Sequence, residues 1–250
     1  MLSRLKLRQF RCFETLEIEL PPGVSVFVGD NAQGKTSILE AACVLLRLQS
    51  PRAGSIAELG RFGAGGFAIE GESDGRRLLF STSGDRRRMS VDGAACRARG
   101  DYLSDTGRVV WMGNDDLALV RGGGDGRRRY LDFAASQLHP AYRPALRAYE
   151  RALRARNFLF KRDARPNWEQ IDAYTKLLVT HGTTIAEVRA DLMEALASPA
   201  LEAQRSVSGR DEPLVLRYKR SGGENLDAAF AQSAVEDARR RQTQVGAHRD

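Results

Sequence analysis

Phe27-Val-Gly-Asp-Asn-Ala-Gln-Gly-Lys-Thr-Ser37 decides how the chain folds. Within it, Gly29-Asp30-Asn31-Ala32-Gln33-Gly34-Lys35-Thr36 is a complete phosphate-binding loop pattern. Ahead of it Val24, Val26 and Val28 alternate and predict an apolar strand. Behind it Ile38, Leu39, Ala42, Leu45 and Leu46 predict an apolar helix. Glycines let the backbone curl until successive N–H groups converge on one anion. The helix N-terminus adds partial positive charge at the same point. Lys35 can then reach the outer phosphates of a nucleotide, and the Thr36 hydroxyl can sit on Mg²⁺. Residues 29–37 are therefore the candidate nucleotide site, with Thr36 the candidate metal ligand. A glycine-rich turn with an accidental Lys-Thr explains less, because strand, loop and helix signals agree.

The 250 residues are enough for one large domain or two lobes, and 42% hydrophobic with 28% charged is ordinary for a globular protein. A formal charge of +7 suits a polyanion such as nucleic acid. Arginine far outnumbers lysine, which occurs only at Lys6, Lys35, Lys161, Lys176 and Lys219. Genome composition produces the same bias, so charge alone leaves nucleic-acid binding undecided. Cys12, Cys43 and Cys96 are odd in number and widely spaced, which argues against a disulfide framework or a zinc site and fits a reducing cytoplasm. No run has signal-peptide or membrane-span length, so a soluble cytoplasmic protein without membrane attachment is expected.

Outward from the loop, residues 2–8 and 16–20 alternate apolar and charged, as half-buried strands do. Between them lies Gln9-Phe-Arg-Cys-Phe13, and Pro21-Pro22-Gly23 turns the chain into the phosphate loop. Residues 49–66 read as loop. Residues 67–72, 76–83 and 87–93 read as short antiparallel strands joined by Gly-Asp turns, with Arg86, Arg87 and Arg88 on a solvated rim. Arg108-Val-Val-Trp-Met112 predicts another strand, running into Gly113-Asn114-Asp115-Asp116. Apolar residues leading into carboxylates allow an alternative reading there as a magnesium-binding strand. From 126 to 197 the pattern is helical, with helices over about 127–138 and 142–161. In the second, Arg151, Arg154, Arg156, Lys161 and Arg162 charge the outer side. A long helix capped by Asn167 follows, interrupted at Gly182 and ended by Pro199. Leu214-Val-Leu-Arg-Tyr218 predicts a strand and 225–241 a helix.

Strand, aromatic-and-arginine turn, strand, tight turn and phosphate loop resemble the N-terminal lobe of ABC-type ATPase heads in SMC-like and RecF-like proteins. Further residues are similar to the RecF family: Asp116-Leu117, Gly122, Arg128-Arg129, Leu131-Asp132, Gln137 and Pro140-x-Tyr142. Arg156-Asn157 with Lys161 follows, and the chain closes on Thr243-x-x-Gly246-Ala247-His248-Arg249-Asp250. Two departures stand out. Ala247 replaces a proline, and Gly113–Asp116 replaces a Pro-Glu-Asp-like step; no catalytic role is assigned to Asn114 or Asp115.

The resemblance implies an α/β fold: a P-loop ABC-type ATPase head with flanking antiparallel strands and an inserted helical lobe. Lobe I would cover 1–120, helical lobe II 121–212, and an incomplete return toward lobe I 213–250. It implies ATP and Mg²⁺ as cofactors and places Arg11 close to bound nucleotide. It further implies an ATP-dependent homodimer that grips DNA where duplex meets single strand, RecR- and RecO-type mediators as partners, and a role in recombinational repair and the SOS response. The family is a weak, DNA-stimulated ATPase. Its Ser-x-Gly signature loop, its strand-borne Asp and catalytic Glu, and its histidine switch do not occur in these 250 residues. Turnover is therefore left open, and the expectation is an N-terminal portion competent at most for weak nucleotide binding. The other class of reading is a P-loop small-molecule kinase, with Arg127–Arg129 as a lid, or a GTPase. The base-reading Asn-Lys-x-Asp of a GTPase does not occur; Phe160-Lys-Arg-Asp163 is the nearest stretch. A DNA-binding remnant that does not hydrolyse ATP is the third reading.

Overall fold

Alternation along Leu2–Phe10 puts Leu5 and Leu7 on one face, and both are fully buried; Phe10, equally buried, joins them past Gln9, whose φ of 51° breaks the alternation. This strand, β1, belongs to a computed structural model that describes residues 1–113, 116–162 and 166–250. The chain divides into two compact units, Met1–Gly113 and Asn114–Asp250. Asn114, Asp115 and Asp163 of the readings above lie outside the described residues.

In the first unit β1 pairs antiparallel with β2 (Phe13–Glu19), Leu7 opposite Leu16. On its other edge it pairs with β3 (Gly66–Ser73), which leads to β4 (Arg76–Ser83), β5 (Arg86–Val91) and the two-residue β6 (Ala94–Ala95). The sheet order is β2-β1-β3-β4-β5-β6, antiparallel at every step. The inner face carries Phe67, Ile69, Leu78 and Phe80 beside the β1 residues, and Ala41, Val44 and Leu45 of α1 (Lys35–Arg47) join that core. Phe10, Phe67 and Phe80 stack edge to face at 5.4 and 5.9 Å between centroids. The short α2 (Arg99–Ser104) adds buried Tyr102, whose hydroxyl donates to Leu45 O at 2.8 Å.

Three expected strands do not form. Residues 24–28, 108–112 and 214–218 lie in no strand. Val24, Val26, Val28, Val110 and Met112 are between 76 and 90% exposed. Alternation records which side of a segment is apolar; a strand also needs a neighbouring backbone, and among the described residues none is paired with these segments.

The second unit is helical: α3 (Leu117–Arg121), α4 (Gly124–Leu138), α5 (Tyr142–Arg162), α6 (Trp168–Ser208) and α7 (Leu226–Arg240). Tyr142, Ala145, Tyr149 and Ala152 recur at intervals of three and four on α5 and pack with Leu178, Ile185 and Leu192 of α6. Asn167 caps α6 by accepting from Gln170 N–H at 3.2 Å, as its position predicts.

The two interruptions expected in α6 are corrected. The helix runs through Gly182, where a Cβ would meet Leu226 at 2.9 Å and Tyr149 at 3.1 Å, so this glycine permits close packing. It also runs through Pro199, on an exposed stretch where water can satisfy the carbonyl that proline leaves without a donor.

Arg156, read as surface charge, is 1% exposed. It donates to Thr175 Oγ1 at 2.9 Å, and to Asp237 Oδ2 and Thr243 Oγ1 at 2.8 Å each. Arg189 is likewise buried, bonded to Asp132, Tyr142, Ala247 O and Asp250. Such charges are tolerable inside only because each is paired and bonded. Through them residues 243–250 are fastened into this unit. His248 completes the anchor: Nδ1 accepts from Tyr149 Oη–H at 2.8 Å and Nε2 donates to Thr243 O at 3.2 Å. Burial lowers its pKa and so favours the neutral ring that these two bonds require.

Candidate nucleotide-binding site

The phosphate loop owes its shape to backbone conformations that few residues adopt. Gly29, Ala32 and Gly34 have φ of 151°, 66° and 92°. Gly34 is also the N-cap of α1, and the first helical bond runs from Ile38 N–H to Gly34 O at 3.1 Å. The N–H groups of Lys35, Thr36 and Ser37 therefore have no helical acceptor, and they sit at the positive end of a 13-residue helix. A Cβ on Gly34 would come within 2.5 Å of Phe13 Cζ and 2.6 Å of Cys12 Sγ, so only glycine fits the floor of the loop.

Asn31, Ala32, Gln33, Gly34, Lys35, Thr36 and Ser37 line one cavity of about 340 Å³, together with Cys12 and Arg52. Lys35 Nζ donates to Gly29 O at 2.7 Å and Asp30 O at 2.5 Å, which holds the ammonium across the loop. Neither the Thr36 nor the Ser37 hydroxyl bonds to another described residue, and Thr36 is exposed. A cradle of free N–H groups, an ammonium and two hydroxyls fits a nucleotide's phosphates and one coordination position of Mg²⁺. Among the described residues no group of three or more His, Cys, Asp or Glu side chains is placed to hold a metal.

Arg11, expected beside the nucleotide, is not among the residues lining this cavity and bonds to α1 and the loop after it. Its Nε and a terminal nitrogen grip Glu40 of α1 at 2.9 and 2.7 Å, and its other terminal nitrogen donates to Glu58 O at 2.9 Å. Glu40 is fully buried and also accepts from Ser50 Oγ at 2.6 Å. Burial pushes the Glu40 carboxyl upward, but the hydrogen bonds from Arg11 and Ser50 outweigh it and hold the pKa below the usual range. Arg52 stands 3.7 Å from the same carboxylate and turns to the cavity. Sequence reasoning missed both Cys12 and Arg52. The one available signal was the adjacency of Cys12 to the arginine of the turn; Arg52 lies in a Pro-, Gly- and Ser-containing loop that Glu40 and Ser50 bring back.

The family model described as an AAA domain matches residues 4–207. The DNA replication and repair protein RecF of Synechococcus sp. is 37% identical over 226 residues, covering 87% of this chain and 59% of its own length. RecF of Anaeromyxobacter dehalogenans is 35% identical over all of this chain and 68% of its own, and RecF of Acidothermus cellulolyticus 34% over all of this chain and 73% of its own. Among solved structures, the recombination mediator protein RecF-ATP in the RecFOR pathway superposes with a TM-score of 0.88 at 26% identity. The match covers 99% of this chain and 71% of that one. The chain thus spans between 59 and 73% of the length of these curated relatives. The α/β ATPase-head fold, with its antiparallel strands and helical lobe, is the one expected. This chain belongs to the RecF family of DNA replication and repair proteins.

Proposed function

We propose that this chain binds ATP at Gly29–Ser37 and acts in DNA replication and repair as a RecF protein. The observation that carries it is the cradle at the start of α1: free N–H groups of Lys35, Thr36 and Ser37, with Lys35 Nζ held across the loop. Bound nucleotide would draw Lys35 from the Gly29 and Asp30 carbonyls onto phosphate, replacing neutral acceptors with a charged one. The Thr36 hydroxyl would supply one oxygen ligand to Mg²⁺, whose charge would offset that of the phosphates. Arg52 lines the same cavity as a further cation. Arg11 acts through Glu40 and is a positioning residue for α1.

The finer reading is a nucleotide switch. ATP would favour a dimer of two such chains, and the dimer would grip DNA where duplex and single strand meet, with RecR- and RecO-type mediators as partners. Family membership favours this reading and a cytoplasmic location; no described helix is long and apolar enough to cross a membrane. In this reading the lobes are 1–120, 121–212 and 213–250.

Fluorescence anisotropy of a labelled gapped duplex, with and without ATP and Mg²⁺, tests the switch. The expected result is tighter binding with ATP and affinity that falls steeply with salt. DNA affinity indifferent to both would overturn it.

A further inference from the structure

The outer face of α5 carries an unpaired row of positive charge. Arg147, Arg151, Arg154 and Lys161 follow one another at intervals of four, three and seven residues, so they lie along one side of the helix. All four are exposed, while Tyr142, Ala145, Tyr149, Ala152, Arg156 and Leu159 are buried on the opposite side. At the helical rise the row is about 21 Å long. Phe158, 58% exposed, occupies the apolar position within it. Glu150 is the single acidic residue in α5.

None of the four cations forms an ion pair among the described residues, whereas three exposed arginines elsewhere on this unit are neutralised. Arg205 pairs with Asp211 at 2.7 Å, and Arg239 and Arg240 both pair with Glu236. Four like charges on one helix face repel one another, and Glu150 is the one carboxylate that α5 sets among them. A solvated face of a stable helix would more cheaply alternate signs, as the last turn of α7 does.

We infer that this row on α5 is a nucleic-acid contact surface, with Arg147, Arg151, Arg154 and Lys161 tracking the phosphate backbone of duplex DNA. The inference rests on the DNA-binding reading above and assigns it to one helix. A rigid row of long, flexible cations at near-regular spacing matches a linear polyanion, and it reads backbone rather than sequence.

The test compares three forms of the full chain by anisotropy on labelled duplex DNA across a salt series. These are the parent, Arg147→Ala/Arg151→Ala/Arg154→Ala, and the charge-matched control Arg205→Ala/Arg239→Ala/Arg240→Ala. Thermal melts confirm that each remains folded. The expected result is at least tenfold weaker binding by the α5 variant and a log–log salt slope shallower by about 2.7, the value for three lost phosphate contacts. The control should keep the parent's slope. An α5 variant that binds like the parent overturns this inference and leaves the DNA-binding reading standing. Equal losses in both variants also overturn it, since net charge alone would then explain them. A parent that binds no DNA overturns both readings together.

Discussion

Gly34 meets two demands at once, and each alone excludes other residues. Its φ of 92° disfavours any side chain, and a Cβ would collide with Phe13 and Cys12 beneath the loop. Gly34→Ala is predicted to abolish nucleotide binding in titration calorimetry while the far-ultraviolet circular dichroism keeps its helical signal; unchanged affinity would contradict the geometry. The cysteines give a second prediction at this scale. Burial pushes the Cys43 thiol up to about 12, whereas Cys12 is exposed on the cavity wall. At pH 8 a thiol reagent should therefore label Cys12 and spare Cys43 in the folded chain, and ATP with Mg²⁺ should slow labelling at Cys12. Mass spectrometry of the labelled peptides reads both outcomes. Rapid labelling of Cys43, or no protection of Cys12, would count against the placement.

Helix α1 is held in position by Glu40, which links it to the β1–β2 turn through Arg11 and to the following loop through Ser50. The Glu40 pKa is depressed in the folded state, so its contribution is complete above the unfolded value of about 4.3 and disappears as pH falls through the lower folded value. Glu40→Gln should cost about 2 kcal/mol at pH 7, the scale of a charged hydrogen bond lost in a buried setting. The gap between parent and variant in urea midpoints should close toward pH 3. A gap that stays constant with pH would rule the ion pair out as its source.

How far such elements can be read from sequence depends on the range of the forces that make them. The phosphate loop, the hairpins from 66 to 91 and the Asn167 cap were legible because their determinants lie within a few residues of one another. Arg156 was not: its charge reads as surface, and its partner Asp237 lies 81 residues away. Arg52 reached the cavity through tertiary contacts of Glu40 and Ser50, which no local pattern records. Pro199 was misread because its cost inside a helix depends on whether solvent can reach the freed carbonyl.

At the scale of the whole molecule, the segment before the phosphate loop differs from the rest of the first unit. Residues 24–28 make no backbone ladder with described residues, and their three valines face outward. Hydrogen exchange should be fast at these amides and slow across β1, β3 and β4; slow exchange at 24–28 would mean that the strand is paired after all. The valines then form an apolar edge that invites another strand.

The phosphate loop nonetheless stands on α1 and the sheet beneath it, so its chemistry should be present in this chain. Titration calorimetry of the parent and Lys35→Ala with ATP and Mg²⁺, and of the parent with GTP, tests that most directly. The expected result is saturable ATP binding, at least about tenfold weaker in Lys35→Ala because charge-assisted phosphate contacts are lost, and weaker binding of GTP. ATP affinity that is absent in the parent, or identical in the two proteins, would contradict it.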